Sequence, residues 1–265
     1  AWAACWTTVP SRWAGWPVAL QVVMFSRSRA AIANPTVGAG PPLGAAWGRL
    51  RWWLGVAAVA SFLVVSIAGG DQTTWVGVRW VADGDTVVLK DGRHVRYIGI
   101  DCPEIDHANK RAAPFGYEAR ALNRKLTGHG TIGLVFDRDR FDRYGRTLAY
   151  VYRRDSLFIN AELLERGYAW VLFKYPNVAH GQALLAVQRA AMQKGRGVWR
   201  LVDATEAPAQ PYIGNRRSKR FHTPDCPNGA AVSKRNRVAF ANQWQGFWSG
   251  YAPAKGCIVF PAATD

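Results

Sequence analysis

Thr86-Val87-Val88-Leu89-Lys90-Asp91-Gly92-Arg93-His94-Val95-Arg96-Tyr97-Ile98-Gly99-Ile100 is a pair of β-favouring runs separated by Asp-Gly. Asp-Gly flanked by apolar runs is a strong hairpin signal, because the tight turns that join twisted strands require positive φ. Working outward, short β-like segments with polar breaks recur at 76–81, 86–90, 94–100, 131–136 and 147–152. Five strands at this spacing fit a small closed barrel. A plain two-residue turn would pair Leu89 with His94 and Val87 with Arg96. That register puts Asp85 and Arg96 on the same face as Val87, Leu89, Ile98 and Ile100, where charges need partners. A bulge at Gly92 would slip the register by one residue and flip the face.

Helical patterns lie between and after the strands. Phe115, Ala119, Leu122 and Leu126 form a stripe ahead of Gly128, Asn160 is positioned to cap a short helix ending at Gly167, and 179–194 is a longer helix stopped by Gly195. Their apolar faces belong to the core. The stretch 106–114, with His107, Lys110 and Arg111, is a basic connection that is either a solvated loop or a flap over substrate.

Three stretches carry chemistry: Asp83-Gly84-Asp85-Thr86, then 96–104 (Arg-Tyr-Ile-Gly-Ile-Asp-Cys-Pro-Glu), then Asp142-Arg143-Tyr144-Gly145-Arg146. Asp85 and Asp101 are hard oxygen donors, and Glu104 can reach a water on the same ion. That donor set suits Ca²⁺ or Mg²⁺ and argues against zinc. Arg96 and Arg146 have the planar fork that grips phosphate oxygens in pairs. Acids for a cation, arginines for a phosphate and a carboxylate for water are what phosphodiester hydrolysis needs.

These residues resemble the thermonuclease, or staphylococcal-nuclease-like, family over roughly 75–200. The resemblance includes the Asp-Gly-Asp-Thr turn, the Arg-x-x-x-x-Asp-x-Pro-Glu run, Asp-x-Tyr-Gly-Arg-x-Leu-Ala-Tyr at 142–150, and Trp199. It implies an OB-type barrel carrying helices and Ca²⁺-dependent cleavage of DNA and RNA to 3′-phosphate ends. Position by position, it implies Asp85, Asp101 and the backbone carbonyl of Cys102 as Ca²⁺ ligands. Arg96 and Arg146 become the phosphate clamp, and Glu104 the group that steers the attacking water. The family commonly has Thr where this chain has Cys102, which matters little if only the carbonyl binds the ion. A nucleotide-contacting tyrosine of the family falls near Phe173; Tyr144 and Tyr175 match better. Arg143, Tyr144, Tyr175, Lys110 and Arg111 complete the candidate substrate contacts.

The chain has 265 residues, 34 Lys and Arg against 18 Asp and Glu, and a net charge of +16. The first 70 residues hold five arginines and no acid, leaving 29 basic against 18 acidic residues and a net +11 from Asp71 onward. This is the electrostatic footprint of a protein that meets a polyanion. Residues 1–48, rich in Trp, Ala, Gly and Pro, suggest untranslated upstream sequence or a disordered leader. Residues 49–70 carry Arg49 and Arg51 before an apolar run at 54–67, and a small-residue site follows. That pattern predicts a signal peptide, or alternatively an anchor tethering the chain to a membrane through 52–69. Either places the catalytic part outside the cytoplasm, secreted or periplasmic.

After a nuclease domain at 71–200, the Pro/Ala-rich 201–214 reads as a linker, and 215–260 as a small basic and aromatic module. Its basic residues alternate with Phe221, Phe240, Trp244, Phe247, Trp248 and Tyr251, which suits either stacking on a nucleic-acid strand or a plain aromatic core. The module also resembles small Cys-rich metal-binding domains, with Ala254 where those have a ligand cysteine. His222, Cys226 and Cys257 are therefore candidates for a metal or, for the two cysteines, a disulfide.

The expected fold is thus β-rich α+β: a five-stranded OB-type barrel with about three helices, plus a small C-terminal module. The expected function is Ca²⁺-dependent endonucleolytic hydrolysis of DNA and RNA. A catalytically inactive OB-fold that only binds nucleic acid is the alternative, though such copies typically lose the acids or arginines retained here.

Overall fold

The computed structural model describes residues 73–258 apart from Lys110 and His129. The expectations for 1–48 and for the signal peptide or anchor at 49–70 lie outside the described residues, as does Lys110. Among the described residues no helix is long and apolar enough to cross a membrane.

Five strands close into a barrel: β1 (Thr74–Asp83), β2 (Thr86–Leu89), β3 (His94–Tyr97), β7 (Thr131–Val135) and β8 (Thr147–Tyr152). Their order is β1-β2-β3-β8-β7, with β7 returning to β1. All neighbours are antiparallel except β3 and β8, where Arg96 lies opposite Leu148. Three helices pack beside the barrel: α1 (Gly116–Thr127), α2 (Ile159–Glu165) and α3 (Gly181–Gln193). Val87, Leu89, Val95, Tyr97, Ile132 and Leu134 are essentially inaccessible and form the barrel core with Leu163 and Leu164 of α2.

The hairpin adopts the slipped register. Thr86 pairs with Arg96, Val87 with Val95 and Val88 with His94. The Leu89 amide donates to the Arg93 carbonyl at 2.9 Å, and Gly92 sits at φ +89°. Lys90, Asp91 and Gly92 therefore make a three-residue loop, with glycine at the left-handed position that ends in a bulge. Val87, Leu89, Val95 and Tyr97 share the inner face, and Arg96 turns to the other side with Thr86 rather than joining Val87 and Leu89.

Between barrel strands the chain makes two small ribbons. β4 (Ile100–Asp101) pairs with β9 (Trp170–Val171), with Asp101 opposite Trp170. β5 (Ile105–Asp106) pairs with β6 (Arg111–Ala112), a short ribbon that forms a lip within the basic connection at 106–114. Asn160 does not cap α2, whose N-terminus has no side-chain cap. Its buried amide accepts from the Val151 amide at 3.0 Å and donates to the Ile98 carbonyl at 2.8 Å. It pins β8 to the segment leaving β3, a tertiary use that outweighs the local capping preference.

The C-terminal module is a four-stranded sheet of β10 (Tyr212–Asn215), β11 (Arg220–His222), β12 (Arg237–Phe240) and β13 (Ala252–Pro253), in the order β12-β10-β11-β13. It carries α4 (Pro227–Ala230) and α5 (Gln243–Trp248). Phe221, Phe240, Phe247 and Tyr251 are buried, and join Trp170, Met192 and Trp199 in a second apolar cluster. Those aromatics hold the module together and are unavailable for stacking on bases. Gln188 of α3 donates to the Phe247 carbonyl at 2.7 Å, and Arg189 to the Trp248 carbonyl at 2.9 Å. The stretch at 201–214 is tied down too: Val202 is buried, Asn242 donates to the Ala204 and Glu206 carbonyls, and β10 already begins at Tyr212.

Candidate active site

Gly84 sets the first acid. A Cβ on it would lie 2.7 Å from the Cys102 Cβ and 2.8 Å from the Ala119 Cβ, so only glycine lets the β1–β2 turn press onto the 102 segment and α1. That approach brings the Cys102 amide to donate to Asp85 Oδ2 at 2.8 Å, while the Thr86 hydroxyl donates to Oδ1 at 3.1 Å. Asn123 of α1 donates to the Asp83 carbonyl at 3.0 Å and accepts from the Tyr97 hydroxyl at 2.8 Å, fixing the turn from behind.

Arg96 bridges the two inner acids. Its Nη1 lies 2.8 Å from Asp85 Oδ2 and its Nη2 2.5 Å from Asp101 Oδ1, with all three side chains largely buried. Nη1 also donates to the Tyr97 and Ile100 carbonyls. The second oxygen of Asp101 takes Arg220 Nη1 at 3.1 Å, a residue of the C-terminal module that also donates to the Pro253 carbonyl at 2.7 Å. Sequence reasoning noted Arg220 only as part of a basic tail. It lies 119 residues from Asp101, and no local pattern links them.

Even with Arg96 against it, Asp85 is not fully compensated. Burial pushes its carboxyl up to about 6, the Arg96 charge opposes that rise, and neighbouring Asp101 adds to it. Burial also raises the Asp83 carboxyl and pushes the Cys102 thiol well above its ordinary value. Cys102 is therefore a neutral, small, buried group, and its amide does the positioning. Two buried carboxylates, matched here by Arg96 and Arg220, supply only hard oxygen donors, the kind that suits a divalent cation such as Ca²⁺ or Mg²⁺.

Glu104 and Arg146 are placed differently. Glu104 is on the surface beyond β4, ion-paired with Lys255 of the module, and it lines the same cavity as Asp101 and Cys102. Arg146 closes the Asp142–Arg146 turn, where its Nε and Nη2 meet Asp142 Oδ2 at 2.8 and 2.7 Å. It does not touch the acids among the described residues. It immediately precedes β8, which pairs in parallel with β3, and so lies two residues before Leu148, the partner of Arg96.

Of the candidate substrate contacts, Tyr144 and Tyr175 are exposed rings, and Arg143 stacks on Tyr144 with its Cζ 4.7 Å from the ring centroid. Arg111 is exposed on the β5–β6 lip. Phe173 is different: it packs against Gly181 and Gly250 and the α3 side chain Leu185, so it belongs to the core. In the module, Cys226 and Cys257 form a disulfide, and His222 Nδ1 lies 3.4 Å from each sulfur. The three ligand atoms lie within 4.8 Å of one another, close enough to share an ion were the sulfurs reduced.

A closed barrel that buries a guanidinium between two carboxylates, with a surface carboxylate and an arginine turn at its side, defines a class of hydrolase suited to an anionic ester. Comparison with known proteins sharpens that. Residues 94–201 match the family model described as staphylococcal nuclease homologue. Thermonuclease of Staphylococcus hyicus is 32% identical over 141 residues, which is 52% of this chain and 82% of that protein. Thermonuclease of Staphylococcus intermedius is 37% identical over 125 residues, 46% of this chain and 74% of that protein. Endonuclease YncB of Bacillus subtilis is 36% identical over 122 residues, 44% of this chain and 57% of that protein. The chain belongs to the staphylococcal-nuclease family, a family of hydrolytic nucleases.

Proposed function

We propose that this nuclease hydrolyses internal phosphodiesters of DNA and RNA with Ca²⁺ and leaves 3′-phosphate ends. The observation that carries the reading is Arg96 fixed between the buried carboxylates of Asp85 and Asp101, a charge arrangement far costlier than packing alone would require. Asp85, Asp101 and the carbonyl of Cys102 are the groups that would hold the ion, which when bound supplies positive charge to a phosphate oxygen and to water.

The rest is the work of the chain itself. Arg96, held between the two acids, keeps its guanidinium beside the place where a phosphate oxygen would sit. Arg146, held by Asp142 in the turn that leads into β8, supports the same phosphate. Glu104 is a surface carboxylate able to orient the attacking water and take its proton, once it leaves an exposed lysine partner that binds it weakly. Tyr144 and Tyr175 are rings on which bases of either nucleic acid can stack. The apolar run at 54–67 and the Cys226–Cys257 disulfide both favour an extracytoplasmic setting, where thiols stay oxidised.

The full chain, incubated with single- and double-stranded DNA and with RNA, is expected to cut all three in Ca²⁺ and none after chelation. Binding that persists without cleavage in Ca²⁺ would move the chain to the inactive OB-fold class. Products ending in 5′-phosphate would overturn the direction of cleavage.

A further inference from the structure

The C-terminal module does more than sit beside the nuclease barrel. β13 runs parallel to β11, with Arg220 opposite Ala252 and Phe221 opposite Pro253, and so delivers Pro253 and Ala254 to the edge of the acid centre. Facing them across a gap are Pro103, Ala112, Ala113 and Pro114, from the segment that follows Asp101 and the lip that follows Glu104. The gap is a cavity of about 610 Å³ that opens directly onto Asp101, Cys102 and Glu104. Its volume is ordinary for a small-ligand site, which usually falls at about 300–1,000 Å³.

The cavity is built into the fold. The module shares an apolar cluster with Trp170, Met192 and Trp199, and Gln188 and Arg189 of α3 bond to its backbone. Trp170 itself, opposite Asp101 in the β4–β9 pair, is part of the lining. Arg220 lines the cavity beside Asp101, held in place by that carboxylate and by the Pro253 carbonyl.

We infer that this cavity is a nucleobase subsite, contributed jointly by barrel and module, for a base flanking the cleaved phosphate. The inference rests on the nuclease reading above. Walls of proline, alanine and tryptophan favour a flat, weakly polar group. A guanidinium in the same lining, beside Asp101, favours an anion next to the acid centre, where the cleaved phosphate must lie. A nucleotide joins a planar base to a phosphate, and the cavity joins an apolar wall to a guanidinium beside the acid centre. Arg220 is then a substrate-side residue of the site, facing the backbone of the strand whose base enters the slot.

The test uses the full chain with Ca²⁺ and an oligodeoxynucleotide carrying one phosphodiester among methylphosphonate linkages. The residue on its 5′ side, on its 3′ side, or neither is made abasic. Losing the base from the occupied position is expected to raise KM about tenfold or more, the usual scale for one bound base. Ala254→Leu and Ala113→Leu, which fill the slot from opposite walls, are expected to abolish that discrimination. Equal KM values for all three substrates with the unaltered protein would overturn the inference, as would full discrimination in both filled variants with unchanged melting temperature. Cleavage of none of the substrates would instead sink the nuclease reading. Equilibrium binding of the same oligonucleotides would then decide the slot, with discrimination supporting it and its absence overturning it.

Discussion

The inner and outer halves of the site are held in opposite ways. Asp85, Arg96 and Asp101 are buried, and they are one another's partners. Glu104 and Arg146 are accessible, and each is held by a group of its own: Glu104 by Lys255, Arg146 by Asp142. The inner half therefore couples stability to function, because its charges cannot be removed singly without stranding the others in low dielectric. In the outer half the two are separable. A carboxylate that handles a proton and an arginine that meets substrate can be deleted while the barrel core stays intact.

The sharpest way to break this contrast is Arg96→Ala. Removing the shared guanidinium leaves two buried carboxylates facing each other, and is expected to cost about 3–5 kcal/mol of stability in addition to at least about 10²-fold in turnover. Lysine should restore little, since a single ammonium cannot span both acids as a planar fork does. Thermal denaturation and cleavage rates measure the two parts. A variant that melts like the parent would mean the acids do not depend on Arg96.

In the outer half, Glu104→Ala and Arg146→Ala should each lower the rate by about 10²-fold. For Glu104→Ala the melting temperature should hardly move, because its exposed ion pair is of the kind worth about 0–1 kcal/mol; Arg146→Ala should cost more, since it leaves the buried Asp142 carboxylate without its partner, though less than Arg96→Ala. Rates near normal in either variant would remove that residue from the mechanism. Large unfolding in either would erase the distinction between the halves.

A smaller effect probes how the inner half is built. Gly84→Ala brings a methyl into the space of Cys102 and Ala119, and overpacking of this kind costs about 1–3 kcal/mol. The turn must back away, the Cys102 amide loses its grip on Asp85, and Ca²⁺ affinity, followed by calorimetry, should weaken with stability. Cys102→Ser, which keeps the amide and removes a thiol too buried to ionise, should retain cleavage; a dead variant would give the thiol a role its burial denies.

The barrel and the two inner acids were legible because their signals are local. Asp-Gly fixes a turn, period-two runs fix strands, and Asp85, Arg96 and Asp101 lie within one hairpin and its exit. The register was legible only as a choice, since a one-residue slip at Gly92 depends on loop geometry that two turn types share. Asn160 was misassigned because its partners, Val151 and Ile98, are brought close only by folding. The module aromatics were ambiguous for the same reason: a buried ring and a stacking ring look alike until the sheet closes over them. Arg220 and Lys255 were out of reach, because their partners lie 119 and 151 residues away.

The smallest expected effect belongs to Lys255→Ala, and it sharpens the comparison most finely. Lys255 and Glu104 are both well exposed, at 62% and 58% of their side-chain surface, so their pairing contributes at most about 1 kcal/mol and melting should shift by only a few degrees. If Glu104 must first leave the lysine to take a proton from water, removing the lysine lowers the barrier by up to that amount, a gain of up to about fivefold in rate. The gain should vanish at high salt, where the pair is screened in the parent as well. A loss of rate with unchanged stability would mean that the module's lysine serves the substrate instead of restraining the acid, and the outer half would then be as interlocked as the inner one.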